Sequence, residues 1–419
     1  MTRMIRPLFA LVFVFPIFLF AQQVELVPER FAFEPELEYR NDIESPAQFL
    51  GYELGEHFVE YAKVVQYFEY LAEKSSRITL NQYGVTYEKR PLSNLVIRSP
   101  DNHGRMERLR ERHLSLLDTD FAQSEEGQKV IANDPVFTSL SYNIHGNEPS
   151  TTEAAMQAAY RLAAATDAET DDMLSNSVVI MYVCINPDGR DRYVYWINGV
   201  GRAQPGINPR DLEHYAPWPN GRTNHYWFDL NRDWVWGVHP ESRGHIKEYQ
   251  RWMPQVHVDY HEQGYNANYF TAPGATPRNL LLPDTYEAWS DTFGRANVAA
   301  FDEEGLMYFT RDRFDFFYPG YGSSYPSVMG AIGMLTEQGG IGAGRAITTD
   351  DGYVLTFRQR IFDHYTTSVA SIRKAAQARQ ALLRYSVDAW NPDKSKSPNK
   401  SFVIRREEGG YLMDLLKVL

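Results

Sequence analysis

The stretch VFTSLSYNIHGNEPSTTEAAMQAAYRLAAA, residues 136–165, passes from one kind of periodicity to another. VFTSLSYNI is rich in β-branched and aromatic residues and reads as a strand. STTEAAMQAAYRLAAA reads as a helix, with Ser150 or Thr151 as its cap and Ala154, Ala155, Ala158 and Leu162 facing inward. Between them lie His145 and Glu148, an imidazole and a carboxylate where a strand-to-helix turn needs only Gly, Asn and a cap.

The same alternation continues on either side. LSNLVIRSP is strand-like, and SVVIMYVCI is a continuous apolar run of the kind that is buried on both faces of a sheet. PESRGHIKEYQRWM predicts a helix, PQVHVDY a strand, PDTYEAWSDTFGRANVAAFDEEG a helix and AIGMLTE a strand. Residues 351–384 read as one long closing helix. Upstream, HFVEYAKVVQYFEYLAEKSS places Phe58, Tyr61, Ala62, Val65, Phe68 and Ala72 on one helical face. Strand and helix in alternation predict an α/β domain with helices on both faces of the sheet. In such sheets sites form beyond the carboxyl ends of strands, and His145, Asn186, His261 and Glu337 all fall at or just past a predicted strand end.

The chain has 419 residues, 43% of them hydrophobic and 23% charged, enough for a substantial core. Net charge is -12 and no run of Lys and Arg occurs, which argues against nucleic acid as a partner. MTRMIRPLFALVFVFPIFLFAQQ has the positive start, short apolar run and small residue of a secretory signal peptide, with cleavage expected after Ala21. That reading gives a secreted or periplasmic bacterial protein with no stable membrane insertion after cleavage. The single cysteine, Cys184, sits in an apolar run and reads as a buried hydrophobe. The expected organisation is a signal peptide at 1–21, an irregular segment at 22–48, a single catalytic domain at 49–385 and a linker at 386–400. Residues 401–419 read as the start of a further, truncated domain.

His145 and Glu148 can converge on one metal ion, and a catalytic zinc takes three such protein ligands. An isolated H-x-x-E is as well explained by a surface histidine and a capping glutamate, so a third ligand is required. VHVDYHEQG supplies His257 and His261. His261 enters a Gly-containing loop where a ligand is accessible, whereas His257 points into the sheet or its cover. Asp259 and Glu262 are close enough to orient an imidazole. Glu337, at the end of AIGMLTE and before two glycines, can take a proton from an attacking water. In FDLNRDW, Arg232 beside Asn231 suits a terminal carboxylate, or else pairs with Asp229 or Asp233.

Taken together, NQYGVTYEKRPLSNLVI, HGNE, NPDG, DLNRDW, His261 and TEQ resemble the zinc carboxypeptidase family, the carboxypeptidase A-like metallopeptidases, over about residues 50–375. The resemblance implies a single large α/β domain with a mixed, mostly parallel central sheet. It implies one zinc ion per chain on His145, Glu148 and His261, with Glu337 as base and proton shuttle. Asn231 and Arg232 would hold the substrate's C-terminal carboxylate. A second arginine, after NPDG, would stabilise the oxyanion; spacing points most nearly to Arg202, with Arg190 and Arg192 as rivals. A tyrosine covering bound substrate corresponds best to Tyr318, then Tyr321. GRAQPGINPRDLEHYAPWPNGRTNHYW, residues 201–227, has no counterpart in the pattern and reads as an insert reshaping the cleft rim.

The function so implied is a metallocarboxypeptidase acting on peptide or protein C-termini. An amidase or peptidase of the same mechanism acting on cell-wall peptides or acyl-amino acids is the alternative. A non-catalytic peptide-binding module would require the metal set or the base to be missing, and neither is.

Overall fold

The computed structural model describes residues 24–399, 401 and 403. The expected signal peptide and nearly all of the segment after 400 lie outside the described residues. Among those described, no helix is long and apolar enough to cross a membrane.

The elements that position the site are, in chain order, α1 (Tyr61–Lys74), β1 (Ile78–Val85), β2 (Pro91–Ile97), β3 (Val136–Tyr142), α2 (Ser150–Ala164), β4 (Ser177–Tyr182) and α3 (Pro187–Val200). They continue with α4 (Pro240–Trp252), β5 (Val256–Gly264), β6 (Tyr269–Phe270), α5 (Tyr286–Glu303), β7 (Tyr308–Phe309), β8 (Ile332–Ile341), α6 (Phe357–Gln377) and α7 (Arg379–Trp390). Eight strands form one mixed sheet in the order β1-β2-β4-β3-β5-β8-β6-β7. The inner four, β4, β3, β5 and β8, are mutually parallel. β1, β2 and β6 join antiparallel neighbours at the flanks.

Burial on both faces follows from strand alternation. Along β4, Val179 and Met181 pack with α1, α2, α5 and α6, while Val178, Ile180 and Tyr182 pack with α4 beneath the other face. Each fully buried aliphatic side chain of this kind contributes roughly 1.5–3 kcal/mol relative to exposure. The irregular segment at 24–48 is also fastened down, Ile43 in this core and Phe31 in a smaller cluster with Tyr269, Phe301 and Phe362. From β3 the chain crosses to β4 on one side, and β5 then pairs on the other. That reversal opens a crevice at the carboxyl ends of the parallel strands.

Three local expectations need correction. The buried stripe of α1 is Tyr61, Val64, Tyr67, Phe68 and Leu71; Val65 and Ala72, half-buried, pack at its margins, and Ala62 lies off it. The large aromatics at 67 and 68 turn the helix toward the core. Pro149 occupies the cap position of α2 without a side-chain cap bond; the carboxylate of Glu262 does the capping, accepting from the Ser150 amide at 2.9 Å and its hydroxyl at 2.6 Å. The closing helix is two helices, broken at Ala378 and preceded by a short strand at Val354–Thr356.

Candidate active site

Three backbones meet where side chains would not fit. A Cβ on Gly146 of HGNE would strike the backbone of Gly189, Arg190 and Gly221, and one on Gly189 of NPDG would strike the Gly221 carbonyl. The turn after β3, the start of α3 and the 220–229 loop are therefore packed main chain to main chain. The NPDG turn is itself held by the KRPL segment. Arg90 pairs with Asp188 at 2.8 Å and with Asp191 at 2.7 Å, and the Thr86 hydroxyl donates to Asp188. Asn186 caps α3 by accepting from the Gly189 amide, and its Nδ2 donates to the Arg222 carbonyl.

The turn after β3 is shaped by Asn143, a left-handed residue at φ 57°. Its Nδ2 donates to the carbonyls of His145 (2.7 Å) and Glu148 (3.0 Å). His145 and Glu148 are thereby brought to one side, opposite His261 of β5. One ligand atom from each of the three lies within 4.8 Å of the others, and all three residues are buried. His145 Nδ1 stands 2.8 Å from Glu148 Oε1, and His261 Nδ1 stands 3.2 Å from Glu148 Oε2. The outer ring nitrogens are engaged elsewhere: His145 Nε2 with Asp229 at 3.0 Å and His261 Nε2 with Asp259 at 2.7 Å. A carboxylate on the outer nitrogen fixes tautomer and ring angle, leaving each Nδ1 lone pair for a metal. Two imidazoles and one carboxylate, so oriented, fit zinc.

Electrostatics point the same way. Burial alone would push both imidazoles down, yet the surrounding carboxylates of Glu148, Asp229 and Asp259 outweigh it and raise both. Burial would push Glu148 up, but His145 and His261 hold it well below the usual carboxylate range. A cluster that gathers protons by its negative field is one in which a dication can replace them. Glu337 of β8 is the Cα neighbour of His261 across the parallel ladder. It is 9% exposed, and burial pushes its carboxyl up to about 8.

These groups line a cavity of about 450 Å³, together with Asn231, Arg232, Arg222, Phe314, Leu335 and Tyr321. Asn231 is buried; its Oδ1 accepts from the Gly322 amide at 2.7 Å and its Nδ2 lies 3.2 Å from His261 Nε2. Arg232 stays 44% exposed, its guanidinium 4.6 Å from the Tyr321 ring centroid and 3.7 Å from Asp229. Asp259 acts on an imidazole as expected, but Glu262, on the opposite face of the strand, does not; it caps α2 and pairs with Arg360 at 3.0 Å. His257 is buried in the sheet against Ser139. Burial pushes the Cys184 thiol up to about 12, consistent with a packing role.

Arg202 is not brought to this cavity. It follows the end of α3, its side chain is 68% exposed, and it lines a different cleft with His57, Asn198 and Arg345. Neither rival replaces it. Arg190 is fully buried against Glu153 at 2.9 Å and the Val59 carbonyl at 2.7 Å. Arg192 donates to the carbonyls of Asn220, Thr223 and Asn224. The arginine that does reach the cluster is Arg222, 3.7 Å from Glu148 and 3.0 Å from Asp229. It lies inside the stretch read as an insert. Its one sequence signal is a lone Arg seven residues before Asp229 in a Gly/Asn turn. Tyr318 is not among the residues lining the cavity either; its hydroxyl accepts from Trp236 Nε1 at 2.9 Å, and Tyr321 takes the wall position.

A buried His–Glu–His cluster at the carboxyl edge of a parallel sheet, facing a carboxylate across a cleft, is the arrangement of a zinc metallopeptidase. The zinc carboxypeptidase family model matches residues 64–266, a span holding all three cluster residues. Among solved structures, a metallo-carboxypeptidase from Burkholderia cenocepacia superposes with a TM-score of 0.50 at 13% identity, over 75% of this chain and 68% of that one. Thrombin activatable fibrinolysis inhibitor superposes with a TM-score of 0.52 at 14% identity, over 81% of this chain and 78% of that one. At these identities the likeness is one of fold. No curated protein matches the chain.

Proposed function

We propose that this metallopeptidase is a carboxypeptidase that removes C-terminal residues from peptides and proteins, using one zinc ion per chain. The observation that carries the reading is that Glu337 and the His145–Glu148–His261 cluster share one cavity with a half-exposed arginine, Arg232.

His145, Glu148 and His261 would hold zinc, which would supply Lewis acidity toward a carbonyl oxygen and toward water. The chain's own groups do the rest. Glu337 takes the proton of the attacking water and passes it to the leaving amine. Arg222, anchored through Asp229, presents its guanidinium beside the cluster and stabilises the charge that develops on the carbonyl oxygen. Arg222 therefore takes the role first given to Arg202. Arg232 and Asn231 receive the free carboxylate, which fixes which bond lies over the metal ligands. Tyr321 and Phe314 wall the pocket for the terminal side chain. Export by an N-terminal signal peptide accords with the positive, apolar and small-residue pattern of residues 1–21 and with a lone buried cysteine.

Paired peptides differing only in a free or amidated C-terminus test the substrate class. Release of the last residue from the free form alone is expected. Equal hydrolysis of both would sink the carboxylate anchor and favour an amidase. Glu337→Gln is expected to retain zinc and to lose kcat by about 10²–10⁴-fold; turnover near that of the parent would remove Glu337 from the mechanism.

A further inference from the structure

The residue after the base opens a second question. Gln338 points to the opposite face of β8 from Glu337, as strand alternation requires. There it lines a separate cavity of about 230 Å³ with Asp363 and Gln359 of α6, Asp351, Tyr353 and Arg30. None of the residues lining this cavity lines the one at the metal ligands.

Two acceptors on its wall are buried and unused. Asp363 is 3% exposed and, among the described residues, its Oδ1 has no hydrogen-bond partner. Gln338 is equally buried; its Nε2 donates to the Gly339 carbonyl at 3.2 Å, but its Oε1 has no partner. Unpaired buried acceptors are costly and uncommon in folded proteins. The Gln359 Oε1 is already taken by the Tyr353 hydroxyl at 2.6 Å. Among the described residues the cation on the wall is Arg30, which turns its Nη2 to the carbonyls of Gly305 (3.1 Å) and Glu304 (3.5 Å). Burial pushes the Asp363 carboxyl well up, opposed only in part by Gln359 and by the charge of Arg30. The wall thus holds two buried acceptors without partners, while the Arg30 Nη2 is directed to backbone carbonyls rather than to them. Water could satisfy single acceptors, but a cation with several N–H groups could pair with both acceptors at once and favour the ionised carboxylate that burial disfavours.

We propose that this cavity binds a primary alkylammonium group, with Asp363 and Gln338 accepting its N–H donors. The site is independent of peptide hydrolysis at the metal ligands and does not rest on that reading. The test is calorimetric titration of the full-length, zinc-loaded protein with n-butylammonium chloride in sodium chloride buffer. Saturable one-to-one binding is expected. It should weaken about ten- to a hundredfold in Asp363→Asn and stay unchanged in Glu337→Gln. n-Butanol, tetramethylammonium and calcium chloride are expected to give no saturable heat, since each lacks either the charge or the N–H donors. Absence of binding by n-butylammonium overturns the proposal, as does equal binding by any of those three or full affinity in Asp363→Asn. Loss of binding in Glu337→Gln would move the amine to the metal cavity and overturn it too. Should Asp363→Asn not fold, a crystal structure with n-butylammonium decides. Nitrogen within hydrogen-bond reach of Asp363 and Gln338 supports the site, and nitrogen elsewhere refutes it.

Discussion

Two arginine-bearing segments meet at Gly189 and Gly221, and they use their charge in opposite ways. In the 186–192 segment, Arg190 is fully buried and its guanidinium is shared among Glu153, Asn143 and two backbone carbonyls, while Arg192 is spent on carbonyls of the neighbouring loop. In the 220–233 segment, Arg222 and Arg232 remain 37% and 44% exposed, and both lean on one carboxylate, Asp229. The first segment carries the conspicuous motif and works as a frame. The second carries the groups left able to meet a ligand. A buried arginine whose two terminal nitrogens are both engaged, as in Arg190, positions neighbours; a half-exposed one with terminal donors to spare can recognise or stabilise.

Three substitutions sharpen or break that contrast. The largest expected effect is on turnover: Arg222→Met should lower kcat by about 10²–10³-fold while zinc content and melting temperature stay near those of the parent. A loss confined to KM would move Arg222 from transition-state stabilisation to ground-state binding. Next comes Arg190→Met, which strands the buried Glu153 carboxylate and should destabilise the fold by about 3–5 kcal/mol in chemical denaturation, with the folded fraction still turning over normally. Retained stability together with lost kcat would reverse the assignment of the two segments. Smallest is Arg202→Ala, where kcat/KM should stay within about twofold and stability within about 0.5 kcal/mol, as for an exposed side chain without a strong partner. A hundredfold loss there would return Arg202 to the reaction.

What the sequence made legible was set by local spacing. Apolar periodicity puts His145, His261 and Glu337 at or just past predicted strand ends, with Glu148 in the turn after His145, which is enough to gather the four in one crevice; the strands around His261 and Glu337 in fact run on to Gly264 and Ile341. The strands and helices around them were readable for the same reason. Arg222 was hidden because it lies in a stretch without periodicity, where only the through-space packing of Gly146, Gly189 and Gly221 reveals proximity to the ligands. Asp229 was visible merely as a neighbour of Arg232; its bond to His145 spans 84 positions, and no local pattern encodes that. Asn143 was passed over because a left-handed turn residue has no period. Glu262 was misassigned by closeness in sequence to His261, although strand alternation sends its side chain to the other face.

The contact among Gly146, Gly189 and Gly221 also bears on redesign. Because the three chains touch without intervening side chains, the ligand turn, the frame helix and the arginine loop behave as a single casting. Grafting the rim of a relative onto this scaffold would have to carry all three backbones together. The stretch between Arg202 and Asn220 lies outside that seam, but Glu213 beside Arg345 and His214 on the Gly342 carbonyl tie it to the chain after β8, so an exchange there would have to keep those two contacts.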